Sequence, residues 1–472
     1  MKIGYLWREY LPHALFVLQS KEFQSDTQDR EDLVQKVARC LYSDGRYHQA
    51  EVLFKELLEE KSKRLKDDDE EMLDSMARVA STIRSQGRWA EAEKLFVQVM
   101  ETRTTVLGPE HPDTLTSMAN LASTFWNQGR WTEAEKLGVQ VMETRKTVLG
   151  PEHPDTLTSM ANLACAFVSQ GRWAEAEKLK VQVMETSKKV LGPEHPDTLT
   201  SMANLASTYR NQGRWTEAEQ LDVQVMETRK TALGPEHPYT LTSMANLACT
   251  YLNQGRWTEA EKLFVQVIET RKIVLGPEHP STLTSMSNLA TTYQNQGRWT
   301  EAEQLFVQVI ETSKTVLGPE HPDTLISMAN LVFTFWNQER WTEAEKLGVQ
   351  GLEKSKTAFG PDHPSTLTSM ANLASTYGNQ GRWTEAEQLD VQVMETRKTV
   401  LGPDHPDTLM SMWNLSHTLK KLHRHAEAIS LLQACVRLQD RRLGPTHPDT
   451  VAATADLEEW EKLYSVGSSP GS

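Results

Sequence analysis

The chain repeats itself every 42 residues, without slippage, for almost its whole length. Trp89, Trp131, Trp173, Trp215, Trp257, Trp299, Trp341 and Trp383 recur at that interval, with Tyr47 in the same slot one period earlier and His425 one period later. Self-similarity at a fixed period of about 20–50 residues marks a solenoid or array, in which each unit buries its apolar face only against its neighbours. That constraint overrides the usual expectation of about three domains for a chain of this length. It points away from most enzyme folds and toward an extended binding surface.

Residues 113–154 illustrate one unit. Leu115, Met118, Leu121, Ala122 and Phe125 fall at helical spacing and form the apolar stripe of a first helix, A, of about 15 residues. Gly129 ends it, where a left-handed backbone is easiest for glycine. A second helix, B, of about 17 residues is expected from Thr132, with Thr132 and Glu135 as a capping pair. Its stripe is Ala134, Leu137, Val141 and Met142, and Arg145 and Lys146 suit the negative pole at its end. Gly150 and Pro151 stop it, and Pro154 opens the next helix A. Short loops make successive helices antiparallel.

The terminal units are atypical, as capping units should be. Residues 1–28 are expected to be an N-terminal stub or capping segment, 29–447 the array of about ten 42-residue repeats, 448–464 a capping helix and 465–472 a disordered tail.

Fifty basic and 64 acidic residues give a net charge of −14, which argues against nucleic acid or an anionic membrane surface as partner. The four cysteines are scattered, with no disulfide framework or CxxC pattern. Arg8 and Glu9 interrupt the apolar N-terminal stretch, which makes a poor signal peptide. No apolar run approaches the length of a membrane span. A cytoplasmic location is expected.

Leu121-Ala122-x-x-Phe125, Gly129, Trp131 and Ala134 resemble the tetratricopeptide-repeat (TPR) pattern, whose usual unit is about 34 residues. The extra residues lie in a longer helix B and the LGPEHPDT linker, a variant similar to the kinesin-light-chain type. The near-identical copies and the WREYLPHALFVL entry resemble fungal arrays that form the ligand-sensing part of larger nucleotide-binding, immune-receptor-like proteins. The resemblance implies an all-α fold: a right-handed α-solenoid of about ten TPR-like hairpins plus a C-terminal capping helix. It also implies a protein or peptide partner, and association with a nucleotide-binding or effector domain on a neighbouring polypeptide. Two features depart from it. No heptad coiled coil of the kinesin-light-chain kind is sustained, and no GxxxxGK[ST] motif is present.

Within near-copied sequence, two slots vary. The first, near the end of helix A, reads Arg84, Trp126, Val168, Arg210, Leu252, Gln294, Trp336, Gly378. The second, twelve residues on, reads Phe96, Gly138, Lys180, Asp222, Phe264, Phe306, Gly348, Asp390. Thr116, Ala119, Asn120, Ser123 and Trp126 share one face of helix A, opposite its stripe; in TPR-like proteins that face lines the concave groove. Variety there reads as ligand contact or as drift on a solvated face, and the two tryptophans favour contact. The second slot reads as compensatory packing, with Trp126 beside Gly138 and Trp336 beside Gly348. It also reads as recognition at a stripe edge that opens toward the groove, because Lys180, Asp222 and Asp390 are costly to bury unpaired.

Asn120, Asn162, Asn204, Asn246, Asn288, Asn330, Asn372 and Asn414 recur on the groove face. Such a row suits either a clamp on a peptide main chain or an inter-repeat hydrogen-bond ladder. The expected partner-binding set is therefore Arg84, Trp126, Val168, Arg210, Leu252, Gln294 and Trp336, with Asn120, Asn162, Asn204, Asn246, Asn288, Asn330 and Asn372.

The linker histidines, such as His111 and His153, sit on loops too far apart to share a metal and read as caps. No catalytic set stands out from the repeat background, and no cofactor is expected. The leading reading is a non-enzymatic protein–protein interaction or ligand-sensing module that holds an extended peptide or partner surface in the groove. The alternatives are a structural scaffold or regulatory spacer, and a kinesin-light-chain-like cargo adaptor. Glu339 in place of the helix-ending glycine, with Gly348 and Gly351 interrupting helix B, predicts a soft joint at 339–358.

Overall fold

A computed structural model describes residues 3–19 and 27–465, and all 22 regular elements among them are helices. After a first helix, Ile3–Gln19, the helices alternate as A and B up to His425–Leu443, and Pro448–Ser465 follows. Residues 20–26 of the N-terminal segment and 466–472 of the tail lie outside the described residues. The chain divides into two compact units, Met1–Ser327 and Met328–Ser472. Within each, consecutive helices pack on one another in the manner of an α-solenoid.

The repeating elements have local causes. Helix A, as in Pro112–Asn127, runs 16 residues and starts with proline in its first turn. His111 precedes it in extended conformation, and its Nδ1 accepts a bond from the Asp113 amide at 3.3 Å. The linker histidines that repeat this bond are N-caps, as the spacing implies. Gly129 ends helix A with φ +73. Leu115, Met118, Leu121, Ala134 and Val141 are buried, as their stripes require.

Helix B begins one residue earlier than expected and without a capping box. In Trp131–Val148 the N-cap is Arg130, at φ −85 and ψ 61, with no side-chain cap bond. Glu135 is unavailable for capping because it accepts from Gln170 and Arg172 of the next repeat, at 2.9 and 2.7 Å. Arg145 is likewise not at a solvated helix pole. It is buried, donating to the Asp155 carbonyl (3.2 Å), Ser159 Oγ (2.9 Å) and Thr116 Oγ1 (3.0 Å), and so ties three helices together. Helix B of the unusual repeat, Trp341–Phe359, runs through the buried Gly348 and Gly351. Glu339 does hold the left-handed conformation, at φ +57.

Within residues 3–327, A helices of adjacent repeats touch one another, as Pro112–Asn127 touches Pro154–Ser169, placing the A faces on the inner side of the curve. The curve closes on itself between five and six repeats on. His279 Nε2 lies 3.2 Å from the Ser43 carbonyl, and His321 Nε2 lies 3.1 Å from the Ser85 carbonyl. Gly45 abuts Pro280 so closely that a Cβ there would sit 2.2 Å from its ring. Because His321 Nδ1 already accepts from the Asp323 amide, its Nε2 carries the proton donated to Ser85.

Candidate functional site

Two repeated systems distinguish the outside of the array from its inner face. The outer one recurs with little change. In the repeats of Arg88, Arg130, Arg172, Arg214, Arg256, Arg298, Arg382 and Arg424 the arginine before helix B donates to the glutamate three residues on and to a glutamate of the preceding repeat, as Arg214 does to Glu217 and Glu177. Gln212 donates to Glu177 as well (2.8 Å), and the Arg214 guanidinium lies 4.1 Å from the Tyr209 ring centroid. The inter-repeat ladder is therefore made of glutamine, arginine and glutamate. Of the asparagine row, Asn288 Nδ2 reaches Cys249 Sγ at 3.7 Å, and Asn162 is exposed. Sequence reasoning overlooked this ladder, although its signal was the recurrence of the Gln-Gly-Arg-Trp run, in which the arginine holds even where Glu339 replaces the glycine and Leu422 the glutamine.

The inner system is variable, and three positions form it rather than two. The second slot faces the interior, and its edge opens toward the groove at Gly138 alone of the eight positions. Phe96, Phe264 and Phe306 are fully buried, and so are Lys180, Asp222 and Asp390. The charged ones are tolerated because each meets a threonine 28 residues on, in helix A of the next repeat. Lys180 Nζ donates to Thr208 Oγ1 at 2.8 Å and to the Asn204 carbonyl at 3.1 Å. Thr250 donates to Asp222 at 2.6 Å, and Thr418 to Asp390 at 2.7 Å. Burial pushes the Lys180 ammonium down and both carboxyls up, Asp390 to about 6.

The first slot completes the set. Arg210 pairs with Asp222 at 2.7 Å and also donates to Thr250 at 3.2 Å. The Trp336 indole donates to Thr376 at 2.8 Å, in the unit beginning at Met328, and its ring meets Phe333 edge-on at 5.8 Å. Arg84 lies 5.4 Å from the Phe96 ring centroid. Val168 and Leu252 pack on buried clusters, and Gln294 is buried. Six of the seven expected first-slot residues are thus wholly or partly turned inward.

Trp126 is the exception, 41% exposed. The threonine that would hold its indole, as Thr376 holds Trp336, is replaced by Ala166. Trp126 donates instead to Ser169 Oγ at 2.8 Å, three residues further along that helix. Behind it Gly138 has no side chain to fill the second slot. The result is an open cavity of about 300 Å³ between Trp126, Gly138, Arg84, Asn162, Cys165 and Ala166. Burial lowers the pKa of the Arg84 guanidinium there, while its Nη1 donates to the Asn120 carbonyl at 3.2 Å. Among the described residues no group of histidine, cysteine and carboxylate side chains is placed to hold a metal ion, and no helix is long and apolar enough to cross a membrane.

Sequence profiles of the tetratricopeptide repeat match this pattern of paired helices, one at residues 71–146, 118–189, 168–231 and 202–273, the other at 282–323, 324–365, 366–407 and 408–449. The chain belongs to the tetratricopeptide-repeat family. TPR arrays serve as protein-interaction scaffolds, and the repeat is typically non-enzymatic. This TPR chain is similar to solved structures of a Podosopora anserina protein described as a kinesin light chain with nearly identical TPR-like repeats. One shares 33% identity over 45% of this chain and 99% of its own, with a TM-score of 0.39. The other shares 35% over 44% and 98%, with a TM-score of 0.37. BtubC (BKLC) from P. vanneervenii is similar at 17% identity over 50% of this chain and 92% of its own, with a TM-score of 0.38. No curated protein matches the TPR chain.

Proposed function

We propose that this TPR array binds an extended peptide segment of a protein partner along the inner face of its A helices, without catalysis. The observation that carries this reading is Trp126, a large aromatic side chain left standing over an open cavity on a face where its counterparts are turned inward. Exposed tryptophan beside a cavity is the arrangement from which binding hot spots are built. The outer ladder, in contrast, satisfies its own charges and offers less to a partner. Exposed Asn162 beside the cavity supplies amide donors and acceptors for a peptide main chain.

Selection of a displayed peptide library against the full chain tests the reading. Bound peptides are expected to lose at least tenfold in affinity on Trp126→Ala, and less on Trp336→Ala, with helicity unchanged by circular dichroism. Peptides whose affinity is the same for Trp126→Ala and the parent chain would overturn it. A chain that selects no peptide behaves as a scaffold or spacer, and recovery of kinesin heavy-chain sequences marks a cargo adaptor.

A further inference from the structure

The space beside Gly138 has a definite shape, because three other repeats of the same chain fill it. Phe96, Phe264 and Phe306 occupy the equivalent slot, each fully buried, on helices whose flanking residues are nearly the same. Gly138 removes the benzyl group from that slot and keeps the surrounding helices. In three repeats where phenylalanine is absent, a charged group takes its place and is met by the threonine 28 residues on, as Lys180 meets Thr208, Asp222 meets Thr250 and Asp390 meets Thr418. At Gly138 neither happens, since the corresponding residue is Ala166. In the Gly348 repeat, which also lacks the benzyl group, the glycine is buried and the Trp336 indole is anchored to Thr376. Only half-buried Gly138 keeps the space open to an outside group.

We propose that the Gly138 cavity is a binding site for a benzyl side chain supplied by a partner peptide, which inserts where the array elsewhere carries its own phenylalanine. This rests on the groove reading and adds the chemistry of one anchor. The guest ring lies between the Trp126 indole and the side chains of Leu163 and Val141. Arg84 lines the same cavity, and it already lies beside the Phe96 ring in its own repeat. Ala166 and Gly138 act together: one withholds the hydroxyl that would draw Trp126 inward, and the other withholds the side chain that would fill the space.

The test uses the full chain and two small probes, N-acetyl-phenylalaninamide and N-acetyl-alaninamide, with binding followed by saturation-transfer NMR. The phenyl probe is expected to bind saturably and the alanyl probe at least tenfold more weakly. Gly138→Phe should fold, because a Cβ at 138 meets nothing nearer than Leu163 at 3.5 Å. It is expected to abolish probe binding and raise the melting temperature. Ala166→Thr, which leaves Gly138 in place, is expected to weaken probe binding by giving Trp126 an inward partner. Equal binding of the two probes, or phenyl binding untouched by Gly138→Phe, overturns the proposal. If selected peptides bind the Gly138→Phe chain as well as the parent, the groove reading stands and this site falls. If no peptide is selected but the phenyl probe binds in a Gly138-dependent way, the site stands and the groove reading falls.

Discussion

Two repeats carry the same helix B, residue for residue, from Trp215 to Thr231 and from Trp383 to Thr399. Each therefore buries an identical aspartate, Asp222 or Asp390, 1% and 5% exposed. Their A helices differ at Arg210 against Gly378, and at Asp197 against Ser365. With Arg210 present, Asp222 has a guanidinium at 2.7 Å and a threonine hydroxyl at 2.6 Å. With Gly378 there, Asp390 keeps the threonine, and burial pushes its carboxyl to about 6. The indole that starts helix B responds too: Trp215 is exposed, whereas half-buried Trp383 lies where a Cβ at 378 would meet its ring at 2.9 Å. A single first-slot residue thus decides whether the interior holds an ion pair or an uncompensated acid. The variable slots are consequently one interior device before they are a recognition surface.

Breaking the better-satisfied repeat should have the largest effect. Arg210→Gly gives it the first-slot residue of the other and leaves a buried carboxylate without its cation, at a cost of about 3–5 kcal/mol near pH 8. Urea unfolding followed by circular dichroism is expected to show that loss. Adding Asp222→Asn should recover most of it, and no recovery would mean that the pair is not the cause.

The poorly satisfied repeat should respond in the opposite direction, with a pH signature. Asp390 titrates near 6 when folded and near its ordinary 3.8 when unfolded, so folding favours its neutral form. Its contribution is complete below about pH 3.8, is lost as pH rises through 6, and stays lost above. Asp390→Asn is therefore expected to stabilise by about 3 kcal/mol at pH 8 and by nothing near pH 4. Melting curves at the two pH values check this, and a gain that is equal at both would contradict it.

The smallest effect sharpens the comparison from the other side. Gly378→Arg supplies Asp390 with the cation it lacks but must push the Trp383 ring outward. A net gain of about 1 kcal/mol at pH 8 is expected, together with a lower Asp390 pKa by carboxyl-labelled NMR. An unchanged Asp390 titration would show that the arginine does not reach it.

Most of the fold was legible because the repeat states it many times over. The A and B stripes, the histidine caps and the left-handed Gly129 each follow from one unit. The start of helix B was misplaced because Thr132 and Glu135 satisfy the local capping pattern, whereas Glu135 is claimed by Gln170 and Arg172 from the next repeat. Arg145 was assigned to the helix pole for the same reason: its partners Ser159 and Thr116 belong to two different A helices, and nothing local betrays them. Of the candidate site, the first and second slots were visible as a linked pair twelve residues apart. The third position, 28 residues beyond the second, was not, since Ala166 in a row of threonines looks like ordinary drift. Only packing shows that it decides which way a tryptophan points.

The central claim is that Trp126 stands open because Ala166 gives it no inward hydroxyl, while Trp336 is drawn in by Thr376. Hydroxyl-radical footprinting with mass spectrometry measures both indoles in one sample. Trp126 is expected to oxidise at least twofold faster than Trp336, with Ala166→Thr slowing Trp126 and Thr376→Ala speeding Trp336. Equal rates for the two indoles, indifferent to both substitutions, would contradict the account.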